Sequence, residues 1–172
     1  TYFFGIKNDG TPVIGDEAAF KSVSGELKEA VGGRNLLVQN GSNLAEGETS
    51  AFYTDKHPRT AVGITEEEDV LLVVADGRSS DSAGLSLSDL ADYMISLGAV
   101  TALNLDGGGS STMVVKDADT NVMEVKNVPS DTSGERPCGN SLLVVDTSTT
   151  VDNSVKLSKD SDGYYLINSA AD

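Results

Sequence analysis

The sequence has a single cysteine, Cys138, which excludes an internal disulfide framework and any zinc site built from several thiolates. Histidine is as scarce: the lone His57 sits before a proline in "TDKHPRT", and a solitary loop histidine reads more readily as a solvated side chain than as a catalytic base. Tryptophan is absent and aromatics make up 5%, too few for a surface that grips sugars by stacking alone. Cations are few, with Lys plus Arg at 12 against Asp plus Glu at 27, and the resulting charge of −15 disfavours nucleic acid and anionic membrane surfaces. No apolar run reaches 18 residues and the start is not signal-like, so the sequence as read argues against membrane insertion and against an export signal of its own. The 172 residues, 38% of them hydrophobic, suffice for one globular core.

The order of segments outlines the fold. "TYFFGIKNDGTPVIGD" places two apolar stretches around Asn8-Asp9-Gly10, a hairpin signal. "SGELKEAVGG" reads as a short helix capped by Ser24 and stopped by Gly32-Gly33. "NLLVQNGS" reads as a strand ending in a turn, and "RTAVGITEEEDVLLVVADGR" as two strands around an acidic turn, the second apolar enough to be central. "SLSDLADYMISLGA" has helical spacing and a capping box of Ser86 with Asp89, and Gly98 ends it. Because "VTALNLD" is again a strand, residues 70–106 form a strand–helix–strand unit, whose two strands would run parallel and bring Asp76 and Asp106 to one sheet edge. The expected class is α/β, with α+β possible: a mixed central sheet containing this βαβ unit, flanked by helices. "STMVVKD", "VMEVKNV" and a buried "SLLVVD" supply further strands. From Thr147 a Ser/Thr linker leads to "VKLSKDSDGYYLINSAAD", a hairpin-like restart, so residues 147–172 are expected to begin a further module after a domain at 1–146.

The chemistry is concentrated in "NLDGGGSST". It has no lysine for a phosphate-binding P-loop and the wrong glycine spacing for a dinucleotide fingerprint, and neither Ser110 nor Ser111 has the following glycine of a nucleophile elbow. "DADTN" at 117–121 begins like a calcium loop but has Val122 at the turn glycine and Val128 at the bidentate glutamate. Carboxylates, amides, arginines and bare backbone remain. Asn104 and Asp106 alternate onto one face of their strand. Gly107, Gly108 and Gly109 would let a ligand approach the backbone; a tight turn alone would need fewer glycines. Three of the four arginines stand in loop-edge tripeptides: Arg59 in "PRT", Arg78 in "DGR" and Arg136 in "ERP". Converging guanidinium groups suit phosphate oxygens, whereas taken singly each is as readily the partner of a nearby acid such as Asp76 or Glu135.

These segments, "PRTAVGI", "VADGR", "NLDGGGSSTM" and "ERPCGNSLLVV", in this order over residues 1–146, resemble the phosphodiester glycosidase domain family. The family's domain usually begins before the point matched by "YFF", so its N-terminal part is expected to be missing, and Cys138 stands where a valine is more usual. The resemblance implies a secreted hydrolase, extracellular or at the cell surface of a bacterium, acting on a phosphorylated carbohydrate or glycan and adjoining other modules of a longer chain. It would cleave a sugar-1-phosphodiester of the N-acetylglucosamine-1-phosphodiester kind, releasing the sugar and a phosphomonoester, without a cofactor or metal. On that reading Asp106 is nucleophile or general base, and Asp76 is a second carboxylate or the orienter of Arg78. Arg59, Arg78 and Arg136 hold the phosphodiester, Asn104 and Asn140 meet sugar hydroxyls, and Gly107, Gly108, Gly109, Ser110 and Ser111 line the phosphate or the anomeric centre. Two rival readings are a non-catalytic glycan-binding module of a surface protein, and a metal-dependent phosphodiesterase with Asp76 and Asp106 as ligands.

Overall fold

The computed structural model describes residues 1–145 and, as backbone, the strands at 156–159 and 165–168. The chain opens with the expected hairpin, β1 (Tyr2–Lys7) and β2 (Pro12–Asp16), followed by α1 (Glu17–Val23) and β3 (Leu27–Gly33). The strand β3 corrects the helix expected over "SGELKEAVGG". Leu27, Val31 and Gly33 share the face turned inward, β3 pairs antiparallel with β1 from Tyr2↔Gly33 to Lys7↔Leu27, and the helix lies earlier, N-capped by Asp16 rather than Ser24. Good helix formers here lose to the ladder that β1 offers on its second edge. Gly33 is needed for closeness: a Cβ there would fall 2.7 Å from the Leu103 side chain.

A five-stranded sheet follows, built from β4 (Leu36–Gln39), β5 (Ser42–Asn43), β6 (Arg59–Thr65), β7 (Val70–Ala75) and β8 (Ala99–Asn104) in the order β5-β4-β8-β6-β7. Between β5 and β6 lies the short α2 (Ala51–Thr54), and between β7 and β8 lies α3 (Leu87–Ser96), closed at its start by the Ser86–Asp89 capping box. The strand–helix–strand unit is present, yet its strands are not neighbours. Both β7 and β8 pair antiparallel with β6, so they run the same way with β6 inserted between them, and every ladder in the sheet is antiparallel. The class is therefore α+β. β7 is at the edge of the ladder rather than its centre: an apolar sequence reports covered faces, not lateral position.

Both faces of the sheet are covered. Leu37, Ala61, Val73 and Ala102 pack against Leu87, Leu90, Ala91 and Met94 of α3. On the other side Val62 and Leu103 meet Phe4, with Ile6, Ile14, Val31 and Leu72 around them, so the second cover is the three-stranded sheet rather than a helix. β9 (Val114–Lys116) and β10 (Met123–Val125) form a separate antiparallel ribbon. The expected buried strand "SLLVVD" is not one: residues 141–145 join no ladder, and Leu143 is 80% exposed. No edge of the described sheets takes up this apolar run, so its composition does not translate into burial. β11 (Lys156–Lys159) and β12 (Tyr165–Asn168) pair antiparallel, and the Cα trace of β12 comes within 8 Å of β7. The linker expected at 147–154 lies outside the described residues. Among the described residues no helix is long and apolar enough to cross a membrane.

Leu103 is fully buried beneath Gly33 and Phe4, where truncation leaves a cavity that two stacked sheets cannot collapse into. Leu103→Ala is expected to lower unfolding free energy by about 2–5 kcal/mol, measured by urea denaturation.

Candidate functional site

The register of β6 decides what meets at the sheet edge. Arg59 pairs with Ala75 and Ala61 with Asn104, so the start of β6, the end of β7 and the end of β8 coincide. Asp76, Arg59, Asn104 and Asp106 are consequently brought to one edge, as the strand–helix–strand reading anticipates, with the intervening strand contributing the arginine. Leu105 extends the contact by donating its N–H to Thr60 O at 2.9 Å.

After Asp106 the chain makes a single 3-10 turn, Gly108–Ser110. The N–H groups of Gly108, Ser110 and Ser111 donate to Pro58 O, Gly107 O and Gly108 O, so much of this backbone is already engaged. Arginine side chains rest on two of the glycines, Gly108 and Gly109. A Cβ on Gly108 would stand 3.2 Å from both terminal nitrogens of Arg78, and Gly108 has φ +63°, which favours glycine in any case. A Cβ on Gly109 would overlap Arg136 and Asp131, and one on Gly107 would lie 3.0 Å from Pro58 O. Beyond the turn Ser111 is buried, its Oγ accepting from Thr60 Oγ1 at 3.0 Å, while Ser110 is half-buried.

The three arginines are held in three different ways. Arg59 is 5% exposed: Nε donates to Leu85 O at 2.9 Å and Nη2 to Asp55 O at 2.9 Å, and the guanidinium lies 5.9 Å from the Phe52 ring centre. Burial pushes its pKa down, the like charge of Arg78 pushes it further, and Asp55 opposes both. Arg136 is clamped by Asp131, not Glu135, through Nε–Oδ2 at 2.8 Å and Nη2–Oδ1 at 3.0 Å, and that pairing raises its pKa, with Asp106 adding a smaller pull. Arg78 is exposed and has no carboxylate partner among the described residues; its one side-chain hydrogen bond among them is Nη2 to His57 Nδ1 at 3.4 Å.

The carboxylates differ as sharply. Asp76 Oδ1 accepts from Asn127 Nδ2 at 3.1 Å and Val128 N at 2.9 Å, so Asp76 fastens the segment after β10 to the end of β7 and does not contact Arg78. Asp106 is exposed and takes no hydrogen bond among the described residues. Asn104 is 5% exposed; its Nδ2 donates to Arg34 O at 3.2 Å, and its Oδ1 is buried without a partner, as is Asn35 Oδ1 beside it. Asn140 is exposed with no hydrogen bond among the described residues. Sequence reasoning missed His57, Asn127 and Asp131, although "HPR" and "SDTSGER" place two of them within five residues of an arginine already singled out. No three His, Cys, Asp or Glu side chains among the described residues form a group able to hold a metal ion. The turn at 117–121, set aside as a calcium loop, is closed by Asp117, whose Oδ1 accepts from Thr120 N at 2.7 Å.

Asp76→Ala would strip two donors of their shared acceptor. The expected cost is about 1–3 kcal/mol of stability, with faster amide exchange at Val128, read by thermal unfolding and hydrogen exchange.

The sequence pattern of the phosphodiester glycosidase family matches residues 1–145. The chain is 31% identical over 127 residues to human N-acetylglucosamine-1-phosphodiester alpha-N-acetylglucosaminidase, covering 65% of this chain and 24% of that protein. The mouse protein of the same name is 33% identical over 128 residues, with the same shares covered. Among solved structures, the zebrafish catalytic domain of that name, auto-inhibited by its pro-peptide, superposes with TM-score 0.55 at 28% identity, covering 65% of this chain and 41% of that one. The chain thus spans about a quarter of the length of these mammalian relatives. With the pattern matched from the first strand to residue 145, this chain belongs to the phosphodiester glycosidase family.

Proposed function

We propose that this domain hydrolyses the glycosidic bond of a sugar-1-phosphodiester, of the N-acetylglucosamine-1-phosphodiester kind, releasing the sugar and a phosphomonoester. The observation that carries the reading is the turn at 106–111: an exposed carboxylate that takes no hydrogen bond among the described residues, Asp106, opens a glycine turn on which an acid-free guanidinium, Arg78, rests. A positive group without an acid is an unusual investment in a chain of charge −15, and a phosphodiester supplies the missing anion.

The bond that breaks joins the anomeric carbon to a phosphate oxygen, and its electron pair leaves on the phosphomonoester. That leaving group is far less basic than an alkoxide, so a general acid matters less than in ordinary glycoside hydrolysis, and the guanidinium of Arg78 offsets the growing charge. Arg136 adds a second positive group, held in place by Asp131. Asp106 works on the carbon side. Either its carboxylate attacks the anomeric carbon and water then releases the sugar, or it takes the proton of an attacking water. Arg59, with Nε and Nη2 committed to carbonyls, and Asp76, with Oδ1 committed to Asn127 and Val128, serve as supports for this edge. Asn104 Oδ1, buried and unsatisfied, is the acceptor we assign to a sugar hydroxyl, with Asn140 and Ser110 toward the substrate's rim, while Ser111, buried against Thr60, supports the turn from beneath. In this reading the domain works outside the cell or at its surface, next to other modules of a longer protein.

The decisive assay offers a panel of sugar-1-phosphodiesters and measures free sugar and phosphomonoester separately. Asp106→Asn is expected to lower turnover by about 100- to 10,000-fold with substrate affinity retained, because an amide keeps the shape but cannot act as base or nucleophile. Unchanged turnover per folded molecule would contradict the role of Asp106, and binding without release of either product by the native chain would mark a glycan-binding module instead.

A further inference from the structure

We infer that His57 is a positioning residue for Arg78, fixing its guanidinium over the glycine turn by accepting a hydrogen bond at Nδ1. The inference rests on the proposed function, since it takes the phosphodiester as the ligand of Arg78. Nη2 of Arg78 lies 3.4 Å from His57 Nδ1. A guanidinium can only donate, so Nδ1 accepts, and the proton of the neutral ring is carried by Nε2. Both ends of this contact stand on anchored backbone. His57 exchanges two hydrogen bonds with Leu85, N to O at 3.2 Å and O from N at 3.0 Å, and Gly84 backs so closely on it that a Cβ there would overlap the His57 carbonyl. Arg78 has φ +57°, a left-handed conformation that non-glycine residues seldom take, and its N–H donates to Ala83 O at 3.4 Å.

Between these anchors stretches a long side chain that would otherwise sample many rotamers. No carboxylate restrains it among the described residues. An acid in that place would neutralise the charge the ligand needs, whereas a neutral imidazole directs the fork and leaves its charge uncancelled. The like charge of buried Arg59 is near enough to be felt, and a hydrogen bond to an uncharged acceptor holds Arg78 on the turn against it. The arrangement explains why His57 immediately precedes Pro58, whose carbonyl accepts from Gly108 N at 2.8 Å: the same short segment holds the turn and aims the arginine above it.

The test uses the full chain and the methyl diester of N-acetylglucosamine-1-phosphate, with binding measured by calorimetry and hydrolysis followed on the same preparations. His57→Phe keeps the ring shape without the acceptor, and His57→Asn puts an amide oxygen near the place of Nδ1. His57→Phe is expected to weaken diester binding about tenfold, the worth of one hydrogen bond to a charged group, and His57→Asn to restore most of it. In an Arg78→Lys background His57→Phe is expected to have no further effect, because the contact it removes is already gone. Equal losses in the Phe and Asn variants, no loss in the Phe variant, or additive losses with Arg78→Lys would overturn the inference. A native chain that binds the diester without cleaving it overturns the hydrolytic reading and not this one; a native chain that does not bind it overturns both.

Discussion

The site depends on the register of one strand. β6 lies between β7 and β8, paired so that Arg59 faces Ala75 and Ala61 faces Asn104, and those pairings alone bring three strand ends to one line. A one-residue slip would turn Ala61 and Val62 to the wrong faces, exchanging the surface that packs on α3 for the one that packs on the three-stranded sheet. The register is therefore held by the same apolar contacts that stabilise the domain. Core and site are coupled through it: Val62 and Leu103 lie opposite one another in the ladder, and Leu103 is the residue before Asn104.

On this edge the glycine turn serves as a floor for guanidinium groups. A side chain at position 108 would crowd Arg78 and one at 109 would overlap the Arg136–Asp131 pair, so two of the three glycines answer to the arginines as much as to the backbone. The positive groups are graded by their surroundings. Arg59 is buried with Nε and Nη2 on carbonyls, Arg136 is matched by an acid, and Arg78 is exposed with an imidazole as its side-chain hydrogen-bond partner among the described residues. Such a gradient leaves Arg78 as an anion-seeking group at the surface of a markedly acidic chain, resting on the turn that Asp106 opens.

Much of this is legible in the sequence where local chemistry and tertiary need agree. Asn8-Asp9-Gly10 marks the first hairpin, Ser86 and Asp89 cap α3, and Gly98, at φ +94°, ends it. The agreement fails where a partner strand decides. "ELKEAVGG" has helical propensity but joins β1, and "LLVV" at 142–145 has strand propensity but no described ladder to join. Likewise, the parallel direction of β7 and β8 follows from the connecting helix, whereas the insertion of β6 between them does not. At the site, Asp106, Arg78 and the glycines stand out by type and spacing. The pairings of Asp76 with Asn127 and of Arg136 with Asp131 do not, because loop-to-loop contacts leave no periodicity to read. His57 was hidden for a different reason: a lone loop histidine is ordinary until its neighbour is an arginine without an acid.

The central claim is that Arg78, lying on Gly108, receives the phosphodiester and so presents the anomeric carbon to Asp106. A crystal structure with a non-hydrolysable phosphonate analogue of N-acetylglucosamine-1-phosphodiester tests it most directly. The account predicts phosphonate oxygens within hydrogen-bond distance of the Arg78 guanidinium above Gly108, with the Asp106 carboxylate facing the anomeric carbon. A phosphonate bound elsewhere, or at this turn with Asp106 turned away from the sugar, would contradict it.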